Sequence, residues 1–192
     1  MIPPALLLHG YRSGVFPMAM EDGEIGWFSP DPRAILPLEP AGFHVPHGLR
    51  RRLNKNTFEV RVDTAFEQVM RACAARMETW ISEEIIGSYC VLFEMGYAHC
   101  VETWLDGQLV GGLYGVTLRG AFFGESMFHS VTDASKVALV HLVARLRVRG
   151  YTLLDIQWTT PHLKTFGAID VPRADYLERL ARSMKLHCGF AG

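Results

Sequence analysis

From about Phe43 onward the apolar and polar positions follow regular periods, whereas the residues before it do not. The early stretch is punctuated by Gly14, Pro17, Gly23, Gly26, Pro30, Pro32, Pro37 and Pro40. This predicts short helices and strands in a loop-rich segment. Residues 57–62 alternate, with Phe58, Val60 and Val62 on one face, and read as a strand. Thr64-Ala65-Phe66-Glu67 has the form of a capping box, opening a helix whose apolar face holds Phe66, Val69, Met70 and Cys73. A second helix starts at Ser82, turns Ile85, Ile86, Tyr89, Leu92 and Phe93 inward, and stops at Gly96. A strand over 100–105 then meets Asp106-Gly107, a strong signal for a type I′ hairpin. The return strand covers 108–118, Arg119-Gly120 turns the chain, and a third strand covers 121–127. Asp133 is placed to cap a helix carrying Val137, Val140, Val143 and Leu146, closed by Gly150. A buried strand over 151–158, a short helix opened by Pro161 and an amphipathic helix over 173–184 complete the pattern. The order β-β-β-α-β-α predicts an α+β fold with a mixed sheet.

The chain has 192 residues, 49% hydrophobic and 20% charged. That composition suits one medium domain with a small appendage and argues against extended disorder. The change in patterning puts the division at residues 1–42 and 43–192. Nineteen Lys and Arg against 20 Asp and Glu give a net charge of -1, which excludes a uniformly basic nucleic-acid coat but leaves room for a local patch. No apolar run approaches the roughly 18 residues a membrane helix needs, and the first residues lack a basic leader and cleavage site. Cys73, Cys90, Cys100 and Cys188 form no Cys-x-x-Cys pair, so free thiols in a reducing cytoplasm are expected. No coiled coil or exposed apolar helix stands out, and a monomer is expected.

Three polar residues fall where apolar ones are the rule. Glu125 ends a strand otherwise made of Phe122 and Phe123, and Asp155 and Gln157 interrupt the apolar run 153–158. Residues two apart on a strand share a face, so Asp155 and Gln157 are expected together, opposite Leu154 and Ile156. A buried carboxylate costs several kcal/mol unless paired. Catalysis and a structural role, such as a cap or an arginine partner, weigh about equally for Asp155. His129 reads as a loop side chain more readily than as a base. The remaining histidines show no ligand spacing, so no metal site is expected. No Gly-x-Ser-x-Gly elbow is present, and Gly10 and Gly14 make no phosphate loop. Arg50-Arg51-Arg52 with Lys55 is the densest basic cluster, open to phosphate binding or plain solvation. Trp27, Phe28 and Trp80 could stack on a base or pack in the core.

The β-β-β-α-β order also suggests the fold of acyltransferases that use acetyl-CoA. Those enzymes hold the pyrophosphate on a glycine-rich loop before the central helix. Residues 129–136 contain no glycine and place Asp133 at the helix start, where it would repel a pyrophosphate. Acyl-CoA is therefore disfavoured as donor.

Several runs together resemble the leucyl/phenylalanyl-tRNA–protein transferase family. They are Tyr11-Arg12-Ser13-Gly14-Val15-Phe16-Pro17, Trp27-Phe28-Ser29-Pro30-Asp31-Pro32-Arg33, Thr79-Trp80-Ile81, Gly111-Gly112-Leu113-Tyr114-Gly115-Val116, Gly124-Glu125-Ser126-Met127-Phe128, Leu154-Asp155-Ile156-Gln157 and Ile169-Asp170-Val171-Pro172-Arg173, with shorter matches at 43–45 and 134–136. They run in order over nearly the whole chain. The resemblance implies an acetyltransferase-like (GNAT-like) domain behind a reduced N-terminal subdomain. It implies an enzyme that moves Leu or Phe, with Met poorly excluded, from aminoacyl-tRNA to the α-amine of proteins beginning with Arg or Lys, marking them for the N-end rule pathway. Aminoacyl-tRNA is then a co-substrate and no cofactor is implied. Asp155 would polarise Gln157 or accept a proton, Gln157 would orient the amine or the ester carbonyl, and Glu125 would hold either the cationic acceptor or the donor's amino group. An apolar pocket maps onto Leu113, Phe122, Met127, Leu139 and Leu154. Trp80 would stack on the terminal adenosine, with Met18 where many relatives have Trp. Arg50, Arg51 and Lys55 would hold acceptor-stem phosphates. His129, Leu142 and Thr160 differ from many relatives around the pocket. The competing readings are an acyl-CoA N-acetyltransferase of the same fold and a non-catalytic tRNA-binding module.

Overall fold

The computed structural model describes residues 1–77 and 79–190, so the last two residues of the expected main domain lie outside it. The chain order is α1 (Pro4–Arg12), β1 (Phe16–Ala19), β2 (Ile25–Phe28), β3 (Arg33–Ile35), α2 (His47–Asn54), β4 (Glu59–Val62), α3 (Phe66–Ala74) and α4 (Glu83–Glu94). It continues with β5 (Ala98–Leu105), β6 (Gln108–Leu118), β7 (Ala121–His129), α5 (Ala134–Val148), β8 (Leu153–Gln157), α6 (Pro161–Lys164), β9 (Ile169–Val171) and α7 (Arg173–Ser183). The second half thus follows the expected β-β-β-α-β-α order through α6, and the unexpected strand β9 then precedes α7. β1 and β2 form a small hairpin, and the other strands form one sheet in the order β4-β5-β6-β7-β8-β3-β9. Every pair in that sheet is antiparallel except β7–β8. α5 supplies the crossover that a parallel pair requires.

Alternation along the strands divides the core into two layers. One face carries Cys100, Tyr114, Val116, Phe123 and Leu153 toward α1, α3, α4 and α7. The opposite face carries Val101, Leu113, Phe122 and Leu154 toward α2 and α5. α5 approaches the sheet closely because β6 has Gly111 beneath it. A Cβ there would stand 2.5 Å from that of Ala134, well inside van der Waals contact.

Three expectations change. β3 precedes the expected boundary at residue 42, yet it lies inside the large sheet between β8 and β9. Its three residues are all buried, so the N-terminal segment is part of the main core. The capping box at Thr64 does not form, since Glu67 pairs with Arg71 and Thr64 turns to Glu102. Glu102 of β5 caps α3 from outside the helix, its Oε1 accepting the main-chain N–H of Thr64 and Ala65, each at 2.7 Å. Asp133 occupies the N-cap position of α5 in a left-handed conformation (φ 71°) and makes no cap bond. Its carboxylate accepts from Lys136 at 2.8 Å.

Burial by itself would raise the Glu102 carboxyl, but hydrogen bonds from Thr64, Trp104, Cys100 and Ala65 hold it below the usual carboxylate range. Its stabilisation is therefore present above that range and is lost as pH falls through the lowered value. Glu102→Ala strands those donors at a cost of about 1–3 kcal/mol. The expected result is a lower melting temperature by calorimetry at pH 7, with the gap from wild type narrowing in acid.

Candidate active site

Two β-bulges at the same level split the sheet. In β7, Gly115 faces Gly124 and Tyr114 faces Ser126, which leaves Glu125 over. In β8, Ile35 faces Asp155 and Ala34 faces Gln157, which leaves Ile156 over. A bulge bends its strand and re-aims the neighbouring side chains. β7 and β8 pair only through Ala121–Phe123 against Leu153–Asp155. Beyond that point they part, and a cavity of about 370 Å³ opens between residues 124–127 on one side and Leu154, Ile156, Gln157 and Trp158 on the other. Its apolar lining includes Leu113, Leu139, Leu142 and Leu163, while Phe16, Met18, Trp80, Arg76, Thr160 and His162 complete the wall.

Glu125 is buried on this wall. Its Oε1 accepts from the Tyr11 hydroxyl at 2.7 Å and from Gln157 Nε2 at 3.2 Å. Tyr89 in turn hydrogen-bonds Tyr11. Burial pushes the Glu125 carboxyl up to about 8, with the Asp155 charge adding to the rise and the Tyr11 bond opposing it. At neutral pH it is mostly a neutral acid. Gln157 keeps a left-handed backbone, φ 61°, a conformation that costs a non-glycine residue about 1–2 kcal/mol. Asp155 holds it there by accepting the Gln157 main-chain N–H at 2.9 Å.

Asp155 itself lies behind the wall, fully buried. Arg33 clamps it with two bonds, Nε to Oδ1 at 2.9 Å and Nη2 to Oδ2 at 2.7 Å. The Tyr176 hydroxyl adds a third at 2.7 Å. Arg33 Nη1 reaches the Gly14 carbonyl at 3.0 Å, and its guanidinium lies 4.8 Å from the Phe16 ring and 4.6 Å from that of Tyr176. Asp155 and Gln157 therefore meet through the main chain, and their side chains do not bond to each other. The common face expected from strand alternation is broken by the bulge at Ile156, since Gln157 lines the cavity and Asp155 does not.

Of the residues assigned to an apolar pocket, Leu113, Met127, Leu139 and Leu154 line the cavity. Phe122 does not. Its ring covers Gly115 and packs 5.5 Å from Phe190, on the side of β7 away from the gap. Met18 and Trp80 both line the cavity, whereas Trp27 and Phe28 do not. Arg50 and Arg51 are exposed on α2, Lys55 ends that helix, and none of the three makes an ion pair among the described residues. They lie apart from the cavity. Arg50 instead borders a second hollow with Phe43, Val45, Leu53, Val140 and Arg147. His129 is exposed. Sequence patterning gave no place in the site to Tyr11, Tyr89 or Arg76, although Tyr89 reads as an inward helix residue and Tyr11 stands in one of the resembling runs. Arg33 closes another such run, but no local pattern says that an arginine will be buried against a strand 122 residues away.

The cavity wall holds neither Cys nor Lys, and its Ser126 hydroxyl accepts from Arg76 at 2.9 Å with no base beside it. The wall sets a carboxyl and an amide beside an apolar hollow, which suits a ligand with an apolar end and a polar head. Family comparison narrows the class. Residues 36–181 match the family described as leucyl/phenylalanyl-tRNA protein transferase, and residues 1–31 match that family's N-terminal domain. The chain is similar to the leucyl/phenylalanyl-tRNA–protein transferase of Herpetosiphon aurantiacus, 54% identical over 98% of both chains. It is 58% identical to that of Paramagnetospirillum magneticum over 93% of this chain and 88% of the relative. The chain belongs to the leucyl/phenylalanyl-tRNA–protein transferase family and is an aminoacyltransferase. Among solved structures, it matches an aminoglycoside acetyltransferase from a soil metagenome (TM-score 0.44, 14% identity, 68% of this chain and 89% of the other). Another is L-PGS from Bacillus licheniformis (TM-score 0.45, 16% identity, 67% and 46%).

Two outcomes follow from the buried groups. Between the ordinary carboxylate range and about 8, folded Glu125 keeps a proton that the unfolded chain has lost, so stability declines as pH rises through that window. Glu125→Gln removes this term, and its melting temperature is expected to fall less than wild type's between about pH 5 and about pH 8. Asp155→Asn leaves the Arg33 charge buried without a counter-ion, at a cost of about 3–5 kcal/mol. Calorimetry is expected to show the loss, and much of it returns in Arg33→Met/Asp155→Leu, where no charge remains to be paired.

Proposed function

We propose that this aminoacyltransferase moves Leu, Phe or Met from aminoacyl-tRNA to the α-amine of proteins beginning with Arg or Lys, extending them by one residue and marking them for N-end rule degradation. The observation that carries the reading is the apolar cavity between the parted strands, with Gln157 on its wall and Trp80 and Met18 along its lining. The donor's side chain fills the apolar part. Its terminal adenosine stacks on Trp80, with the Met18 thioether on the other side. Arg50, Arg51 and Lys55 hold acceptor-stem phosphates in a contact that is largely indifferent to sequence.

The chemistry is aminolysis of an ester. A free α-amine titrates near 7.7–8.0, so a useful fraction is neutral at physiological pH, and little base strength is required. The amine nitrogen attacks the ester carbon, the bond to the ribose oxygen breaks, and the proton released from the amine passes to that oxygen. Holding amine and ester together can supply about 7–11 kcal/mol of the barrier. Gln157 is the orienting group, its Nε2 engaged by Glu125 and its amide oxygen available to the amine. Asp155 acts as a positioning residue through the Gln157 main chain. An apolar cavity rejects polar side chains but separates Leu from Met by only about 1–3 kcal/mol.

The test is transfer of radiolabel from Leu-tRNA, Phe-tRNA and Met-tRNA to a peptide starting with Arg, with a Met-starting peptide as control. Label is expected on the Arg peptide alone. RNA binding without transfer, or transfer from acetyl-CoA instead, refutes the reading. Gln157→Ala is expected to lower kcat roughly 100-fold with tRNA affinity nearly unchanged. Arg51→Ala is expected to weaken tRNA binding and reduce its salt slope by about 1.

A further inference from the structure

Trp80 reaches the cavity wall from the segment between α3 and α4, which belongs to no helix or strand. Among the described residues, two ties fasten this segment to elements other than the helices it joins. The Trp80 carbonyl accepts the Ala19 N–H at 3.1 Å, which links it to the strand bearing Met18. Arg76 Nη2 donates to the Met127 carbonyl at 2.6 Å and to the Ser126 hydroxyl at 2.9 Å, both on β7. Hydrogen bonds from an ionised donor are roughly twice as strong as neutral ones. They also fall where the wall is weakest. Beyond Phe123, β7 is paired with β6 alone, because β8 has parted from it. Arg76 is exposed, yet it lines the cavity together with Trp80 and Met127.

We infer that Arg76 is a positioning residue that fixes the span between the Trp80 ring and the acyl pocket at Met127, so that the two ends of the donor bind as one ligand. The inference rests on the aminoacyl-transfer reading, in which the adenosine stacks on Trp80 and the acyl side chain enters the apolar part. The donor joins those ends through its ribose and ester. Once one end is bound, the other meets its surface at an effective concentration that is highest when the two surfaces match the distance between the ends. With the Trp80 segment and β7 held in register, the ester between them is confined to one place beside Gln157, which is what rate acceleration by positioning requires. Arg76 acts here through Trp80 and Met127, without contact to the reacting atoms. In its absence both surfaces persist, but the distance between them is no longer set, and the gain from joining the ends falls.

The experiment compares wild type with Arg76→Ala on the joined donor and on its separate ends. Phenylalanyl-adenosine, which joins both ends and carries no phosphate, serves as donor to an Arg-starting peptide. Adenosine and phenylalaninamide serve singly as inhibitors of that transfer. In Arg76→Ala, kcat/KM for phenylalanyl-adenosine is expected to fall about ten-fold, the order of one charge-assisted hydrogen bond, while both inhibition constants stay nearly unchanged. Arg76→Lys, whose ammonium also donates to a carbonyl, is expected to recover part of the loss. The melting temperature of Arg76→Ala is expected within about 2 °C of wild type's, as for other exposed positions. A matching rise in either inhibition constant, an undiminished joined donor, a loss seen with phenylalanyl-tRNA but not with phenylalanyl-adenosine, or a lysine variant no better than alanine overturns the role of Arg76. A wild type that transfers from neither phenylalanyl-tRNA nor phenylalanyl-adenosine overturns the transferase reading instead.

Discussion

The clamp of Arg33 on Asp155 is the constraint around which the rest is arranged. Both side chains are almost fully buried, 1% and 0% exposed. Such a pair adds little stability compared with an apolar substitute, yet losing one member is severe. Its value lies in what it ties together. Arg33 belongs to β3, Asp155 to β8, Tyr176 to α7, and Gly14 to the turn after α1. All four segments are fixed relative to one charge. Asp155 spends its remaining lone pair on the Gln157 N–H, which holds the left-handed backbone that turns Gln157 toward the cavity. A structural ion pair thus sets the orientation of the Gln157 amide on the cavity wall.

The cavity comes from interrupting the sheet, since the strands are otherwise regular. Parallel strands pack at about 4.7–4.9 Å, leaving no room for a cavity between them. Bulges on both β7 and β8 end the pairing at Phe123 and Asp155. One bulge also leaves Glu125 as the odd residue on the wall. There burial makes it an acid at neutral pH, against the opposing hydrogen bond from Tyr11.

Elements governed by neighbours in sequence were legible beforehand. The hairpin at Asp106-Gly107, the Ser82 cap, the glycine stop at Gly96 and the helix opened by Pro161 all formed as their local chemistry dictates. Expectations failed where a distant group competed. Thr64 reads locally as the start of a capping box, but Glu102 offers its backbone and hydroxyl a charged acceptor, and a charge-assisted bond is the stronger. Asp133 sits at a helix start, where Lys136 takes its carboxylate. Phe122 alternates correctly along β7, but alternation assigns only a face, and the gap opens further along the strand.

By itself, the sequence determined the order of strands and helices from β4 to α6 and the presence of Glu125, Asp155 and Gln157 among apolar neighbours. Those follow from periodicity and from the cost of burying polar groups, both of which act over a few residues. Only the tertiary structure decided that Asp155 answers to Arg33, and that Gln157 turns into the cavity while Asp155 stays behind it. These depend on contacts between residues far apart in the chain, whose geometry no local period encodes.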